Sequence, residues 1–372
     1  MKGTKPSYST YEAVIISPFC IKHGLEMRQK IDSIQVFRGI AALAVVGHHA
    51  VQSTGAFIGE MPSWIHNTIG RGLYGVDFFF VLSGFIIMFI HQHDNKTLSN
   101  AKHYAAKRFM RVFPVYWCVA IPLAIAYYVM SGLSASGGRE ISFLSSAFLL
   151  PSSGVPTLSV AWTLIHEVMF YAFFLVFFYS TRVFTVFIIA WLGTILMVNI
   201  FGDAPTGASR YVFSLLNIEF ILGMLAAKAL KFIPNSKIAG GLVISGVILG
   251  TASIYAINIG LPGALRLIFA LGMAMLIIGA ATLERFHQFS WPYLLILLGN
   301  ASYSIYLIHN PALSITQRVL GKMDTGWALG LVAGIVLTTI AGVIFHLIVE
   351  KAIVNMGQRV IRSKPKPSLQ GN

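Results

Sequence analysis

Ten runs of about twenty mostly apolar residues recur along the chain, each long enough for a helix that crosses a bilayer. They fall at roughly 34–54, 73–91, 109–130, 158–179, 182–201, 211–230, 238–258, 262–282, 293–316 and 327–350. The pattern predicts an all-α fold, a polytopic membrane helix bundle of about ten transmembrane helices. A shorter apolar run at 141–150 cannot span and reads as an interfacial or re-entrant piece of the loop 131–157, which is rich in Ser and Gly. No internal repeat is visible, so an inverted-repeat transporter is not indicated. Three parts follow: an N-terminal segment 1–33, a membrane domain 34–350 and a basic tail 351–372. The tail carries Pro365 and Pro367 and is expected to be disordered.

Composition agrees. Of 372 residues, 56% are hydrophobic and 11% charged, whereas a soluble domain carries about 45–50% and about 25%. A soluble globular enzyme is thereby excluded. The net charge of +14 does not point to nucleic acid, because there is no zinc-finger pattern and the cations sit between apolar runs. Lys and Arg in excess mark cytoplasmic loops. Assigning alternate loops to opposite sides puts nineteen cations with the two termini and five on the other face, leaving Arg38, Arg111 and Arg266 inside spans. Both termini are therefore expected in the cytoplasm. The first 33 residues do not read as a signal peptide: the apolar patch 13–21 is broken by Ser17 and Pro18 and lacks a small-residue cleavage site. Cys20 and Cys118 form no disulfide framework and have no zinc-ligand spacing; no metal site is expected.

Ionisable groups at membrane depth are costly and mark function by default. Arg38 and His49 in the first run are eleven residues apart. At 100° per residue both lie on one helix face, about 16 Å apart along the axis. An anion held by the arginine would present its far end to the histidine. The competing reading has Arg38 snorkelling to the interface and His49 bonded in the core. His48 is about 80° off that face. In the second run Asp77 needs a partner, since a lone buried carboxylate is costly, and Ser83-Gly84 permits close helix packing. Arg108 and Arg111 share a face at i and i+3 beside Lys107 and suit a phosphate clamp. Basic cytosolic loops would look the same.

Glu167 falls near the middle of the fourth run, with Trp162, Thr163 and His166 close in sequence; it calls for a cation or a raised pKa, and a structural salt bridge competes. Ser302, Tyr306 and His309 stack on one face of the ninth run, as a hydrated or substrate-lined interior would require, and Pro311 is expected to kink or end that helix. Glu219, Arg266 and His346 complete the set. Two motif matches fail their context tests. Gly70-Arg71-Gly72-Leu73-Tyr74-Gly75 follows no strand, and the sequon Asn95-Lys96-Thr97 lies on the expected cytosolic side. Gly246 and Gly250 form a GxxxG pair, read as helix packing.

Taken in order, these residues resemble the integral-membrane acyltransferase family 3, and most closely its exopolysaccharide production branch, which O-acetylates bacterial surface sugars. The resemblance covers roughly residues 32–350. It rests on Arg38-x10-His49, on Gly75-Val76-Asp77-Phe78-Phe79-Phe80-Val81-Leu82-Ser83-Gly84-Phe85, and on Arg108-x2-Arg111 followed by Pro114-x-Tyr116-Trp117. Trp162-Thr163-Leu164 with Glu167-x2-Phe170-Tyr171, and Leu298-Gly299 with 303–309 and Pro311, complete it. The family commonly has Ser at the position of Thr163 and often Val at that of His166, which reshapes the pocket near Glu167. No hydrolase-like stretch follows the last run, so acyl handover to such a domain is not expected.

The resemblance implies an inner-membrane O-acyltransferase with acetyl-CoA as donor substrate, no permanently bound cofactor, and a bacterial polysaccharide or its lipid-linked precursor as acceptor. Arg38, Arg108 and Arg111 would take the CoA phosphates. His49 would act as base, with Asp77 or Glu167 orienting it, and Ser83, Trp162, Ser302, Tyr306 and His309 would line the substrate pocket. An acyl-histidine intermediate is the less favoured variant. The alternative is a polysaccharide or small-molecule transporter with His49, Glu167 and His309 as a proton relay.

Overall fold

The computed structural model describes residues 31–129, 143–259, 265–287 and 290–362. Within them the chain forms α1 (Asp32–Phe57), α2 (Ser63–Asn67), a 3₁₀ turn Ile69–Tyr74, α3 (Gly75–His91), α4 (Leu98–Val129) and α5 (Phe143–Phe148). There follow α6 (Ala161–Phe174) with a 3₁₀ turn Leu175–Phe178, α7 (Thr181–Phe201), α8 (Ser209–Val212), α9 (Leu216–Ala229), α10 (Ser236–Asn258) and α11 (Leu265–His287). The last part holds α12 (Tyr293–Asn300), α13 (Ser302–Lys322), α14 (Trp327–Phe345), a π-helical turn His346–Glu350 and α15 (Lys351–Arg362). The described residues contain no β-strand. That suits a bilayer, where a helix alone satisfies every backbone group of a segment.

Nine of these stretches are long and apolar enough to cross a membrane. The ninth predicted run, 293–316, is not among them. It is split at Ala301 (φ −80°, ψ −2°) into α12 and α13, and its polar stripe lowers its hydropathy. It nevertheless runs beside α1 in the same direction. Gly39 and Gly299 bring the backbones together at one end: a Cβ on Gly299 would strike the Gln35 carbonyl oxygen at 2.0 Å. At the other end Gly321 faces the Phe57 carbonyl. So α12 and α13 together cover the same depth as α1. Of the two outcomes expected at Pro311, a kink or an end, the helix does not end there: α13 passes through it to Lys322. Proline removes one N–H, and neighbouring groups in a packed bundle absorb that loss.

Two stretches are helical where a loop and a disordered tail were expected. Residues 98–108 form the first turns of α4; their Ala, Lys and Arg content favours helix but leaves no apolar signature. Residues 351–362, placed in a disordered tail, continue the last span as α15, with Gly357 against Met110 of α4. The segments 1–30, 131–142 and 363–372 lie outside the described residues. Of the run 141–150, α5 is seated on α4: Tyr116 Oη donates to the Ser146 carbonyl at 2.9 Å and Trp117 Nε1 to the Ala147 carbonyl at 2.7 Å.

α1 and α3 are central and mostly buried, whereas α4, α7, α10 and α14 turn broad apolar faces outward. α3 and α9 meet closely where Gly84 faces the Phe220 carbonyl and Gly223 faces Val81, so the Ser83-Gly84 step does serve packing. Gly246 and Gly272 do the same for the α10–α11 pair. Phe80 and Phe170 pack on Phe220, the latter pair stacked at 4.3 Å. Among lipids, where apolar burial alone does not join helices, such close packing holds the bundle.

Candidate active site

His49 sits on the inner face of α1, and α13 delivers His309 beside it. His309 Nε2 lies 3.3 Å from His49 Nδ1, with ring centroids 4.8 Å apart. His309 is wholly buried, and its Nδ1 lies 2.6 Å from the Tyr306 carbonyl. A carbonyl only accepts, so Nδ1 of neutral His309 carries the hydrogen and Nε2 is an acceptor. His49 Nδ1 lies 3.1 Å from the Val45 carbonyl. Two acceptors therefore face His49 Nδ1–H, and the tautomer inferred from this network leaves His49 Nε2 as the bare basic nitrogen.

His48 is turned away. Its Nδ1 meets the Gly70 carbonyl and its Nε2 faces Gln52 at 3.1 Å, tying α1 to the 3₁₀ turn. Beside the histidine pair, Tyr306 Oη is 2.7 Å from Thr163 Oγ1, which itself donates to the Val160 carbonyl at 2.9 Å. Tyr306 thus links α13 to α6. Ser302 is buried with no hydrogen-bond partner among the described residues, and Ser83 is half-buried. Trp162 packs edge-on to His166, which bonds Asn217 of α9 at 3.2 Å.

The carboxylates expected behind His49 are elsewhere. Among the described residues no carboxylate hydrogen-bonds His49. Asp77, fully buried, receives two bonds from Arg266, Nε to Oδ1 at 2.8 Å and Nη2 to Oδ2 at 2.9 Å. Glu167 accepts from Tyr171 Oη and belongs to a cluster nearer the start of α1. Arg38, Arg111, Glu167, Glu350 and Tyr171 interact electrostatically there. Arg38 donates to Gln35 Oε1 at 3.0 Å. Arg108 lies over the rings of Tyr104 and Tyr171, at 5.5 and 5.2 Å. The three arginines named from sequence thus converge at one end of the site, and the histidine of α1 stands at the other.

A comparison with known families matches residues 31–347 to the acyltransferase domain of acyltransferase family 3. The chain belongs to that family. The acyltransferase is 28% identical over 327 residues to the exopolysaccharide production protein ExoZ of Rhizobium meliloti, covering 83% of this chain and 95% of that one. It is also 28% identical over 341 residues to the peptidoglycan O-acetyltransferase OatA of Listeria monocytogenes, covering 79% of this chain and 51% of that protein. No solved structure matches. These likenesses make the protein a multi-pass membrane O-acyltransferase.

Some residues of the acyltransferase site escaped the sequence reading. Glu350, buried on the π turn, accepts from Ser304 Oγ at 2.6 Å and from His346 Nδ1 at 2.8 Å. Tyr171 and Tyr303 also belong: Tyr303 Oη donates to the Val112 carbonyl at 2.9 Å, pinning α13 to α4 beside Arg111. His346 with Glu350, and Glu167 with Tyr171, are i, i+4 pairs, the spacing that puts side chains in contact on a helix.

Proposed function

We propose that this enzyme moves an acetyl or other small acyl group from acyl-CoA to a hydroxyl of a bacterial exopolysaccharide or its lipid-linked precursor. It would work in the cytoplasmic membrane, with the donor entering from the cytosol and both termini on that side. Acyl-CoA is a substrate in this reading, not a resident cofactor. The supporting observation is that three arginines gather at one end of the site while His49, backed by His309, stands further along α1. Arginine forks suit the phosphates of CoA, and the pantetheine arm would carry the thioester toward His49.

In the reaction, His49 Nε2 removes the proton of the acceptor hydroxyl as its oxygen bonds the thioester carbonyl carbon. The carbon–sulfur bond breaks, and the imidazolium returns the proton to the departing thiolate. The products are the O-acyl sugar and CoA. The Val45 carbonyl and His309 Nε2 would stabilise the transient charge on His49, a task that hydrolytic triads give to a carboxylate.

Radiolabelled acetyl-CoA supplied to the purified enzyme with a hydroxyl-rich bacterial glycan tests this. Label should pass to the glycan with release of CoA. An enzyme that neither binds acetyl-CoA nor releases CoA would exclude this donor.

A further inference from the structure

The two helices that carry the histidine pair change character at the same level. α1 is buried along most of 33–47 and opens from His48 onward: His48 and His49 are half-buried, and Gln52 and residues 55–57 are exposed. α13 is buried over 304–307 and at His309, and residues 310–312 are half-buried. Both helices run in the same direction, and Arg38 lies eleven residues before His49 on α1. The site therefore has a mouth at the histidines, on the side away from Arg38.

Three uncharged polar side chains from three elements ring that mouth. Asn310 follows His309 on α13, and its Nδ2 donates to Ser159 Oγ, on the segment that leads into α6, at 2.7 Å. Gln52 stands one turn past His48 on α1. The Gly70 carbonyl holds the hydrogen of His48 on Nδ1, so His48 Nε2 accepts, and Gln52 Nε2 donates to it at 3.1 Å. That bond fixes which way the Gln52 amide is turned. The His48 ring in turn stands edge-on to His49, with centroids 4.9 Å apart. Gln52 Oε1 and Asn310 Oδ1 keep no partner among the described residues. A sugar hydroxyl both donates and accepts, which suits these amides and the Ser159 hydroxyl.

We infer that Gln52, Asn310 and Ser159 form the acceptor-binding mouth. They hold hydroxyls of a sugar ring beside the one that His49 deprotonates, and the glycan arrives from the side opposite to the donor. The inference rests on the acyltransferase reading above for its glycan acceptor, and it deepens that reading by assigning acceptor residues and a direction of approach. Transfer requires thioester and hydroxyl at His49 together. A donor that fills the stretch from Arg38 to His49 leaves no room for a sugar there. Toward α6 the flank is closed by the hydrogen bond between Tyr306 Oη and Thr163 Oγ1 at 2.7 Å. The half-buried end beyond His49 is open to the acceptor.

The test uses the full-length enzyme in detergent and the host bacterium's own exopolysaccharide, stripped of its ester acyl groups by mild alkali. Equilibrium binding of this glycan is measured without donor. Gln52→Met and Asn310→Leu keep the side-chain shape and remove the amide. Each should weaken glycan binding by about five- to ten-fold, the scale of one or two neutral hydrogen bonds. Asn310→Asp keeps an acceptor oxygen and should retain part of the affinity. In both amide-deleting variants Tm and CoA affinity should stay near wild type, and in turnover the KM for the glycan should rise while the KM for acetyl-CoA does not. Saturating CoA should not displace the glycan, because the two enter from opposite sides. A wild type that does not bind the glycan, unchanged glycan affinity in either variant, a matching loss of CoA binding, or displacement of the glycan by CoA would each overturn the inference. Failure of CoA itself to bind is scored separately: it removes the donor reading and leaves the glycan variants to decide this one.

Discussion

His309 Nε2 stands 3.3 Å from His49 Nδ1, where a carboxylate would stand in a hydrolytic triad. The two residues are 260 positions apart, and the arrangement gives His49 a neutral orienting partner. Such a partner fixes the tautomer without adding a second charge to the membrane interior, where charge is costly.

His49→Ala should abolish acyl transfer with expression intact, a loss of about 10²–10⁴-fold typical of a missing general base. His48→Ala should keep substantial activity, because His48 faces Gly70 and Gln52 rather than His49's bare nitrogen. Rates with saturating acetyl-CoA and glycan decide it; equal losses would refute the assignment.

His309 acts through His49 and is a positioning residue. His309→Ala should lower kcat by about 10–100-fold, the worth of a charge-assisted hydrogen bond, while the KM for acetyl-CoA stays near wild type. A rise in that KM with kcat preserved would place His309 in donor binding instead.

Replacing Arg108 or Arg111 by Ala should weaken acetyl-CoA binding by about ten- to a hundred-fold. Arg108→Lys should recover little, because an ammonium cannot reproduce a planar fork stacked on Tyr104 and Tyr171. Equilibrium titration with CoA measures this, and unchanged affinity in both Ala variants would make these residues ordinary membrane anchors.

Asp77 should matter to stability more than to chemistry. Removing its carboxylate strips Arg266 of both bonds and should cost about 1.5–3 kcal/mol, seen as a lower Tm in detergent. The double variant Asp77→Ala with Arg266→Ala should regain part of that loss, since no unpaired cation is left. An unchanged Tm together with lost turnover would return Asp77 to the reaction itself.

Orientation can be tested by labelling single cysteines with an impermeant reagent in intact cells. Positions 92–97 should be shielded and positions 323–326 reactive. External labelling within 92–97 would reverse the proposed topology.

The membrane bundle was legible in the sequence because span length and apolar content are local quantities. The same holds for Arg38 and His49 on one face, since helix geometry fixes positions eleven residues apart. Where the local signal was absent, the reading failed. The helical start at 98–108 is polar, the continuation at 351–362 mixes basic and apolar residues past the end of the span, and the break at Ala301 leaves no mark that separates it from the rest of the run.

What the sequence by itself determined, then, is a many-span acyltransferase with a charged helix face and a short set of costly buried groups. Only the tertiary structure decided who partners whom. Asp77 and Glu167 are both buried or half-buried acids on central helices, and each needed a partner on physical grounds. One found Arg266 across 189 residues, the other the Tyr171 hydroxyl one turn away. Burial of a charge dictates that a partner exists, but its identity depends on which helices are neighbours. For Asp77 that is set by where small residues such as Gly39, Gly84 and Gly299 let backbones close in, which spacing along one helix does not record, whereas the i, i+4 partner of Glu167 was within reach of spacing alone.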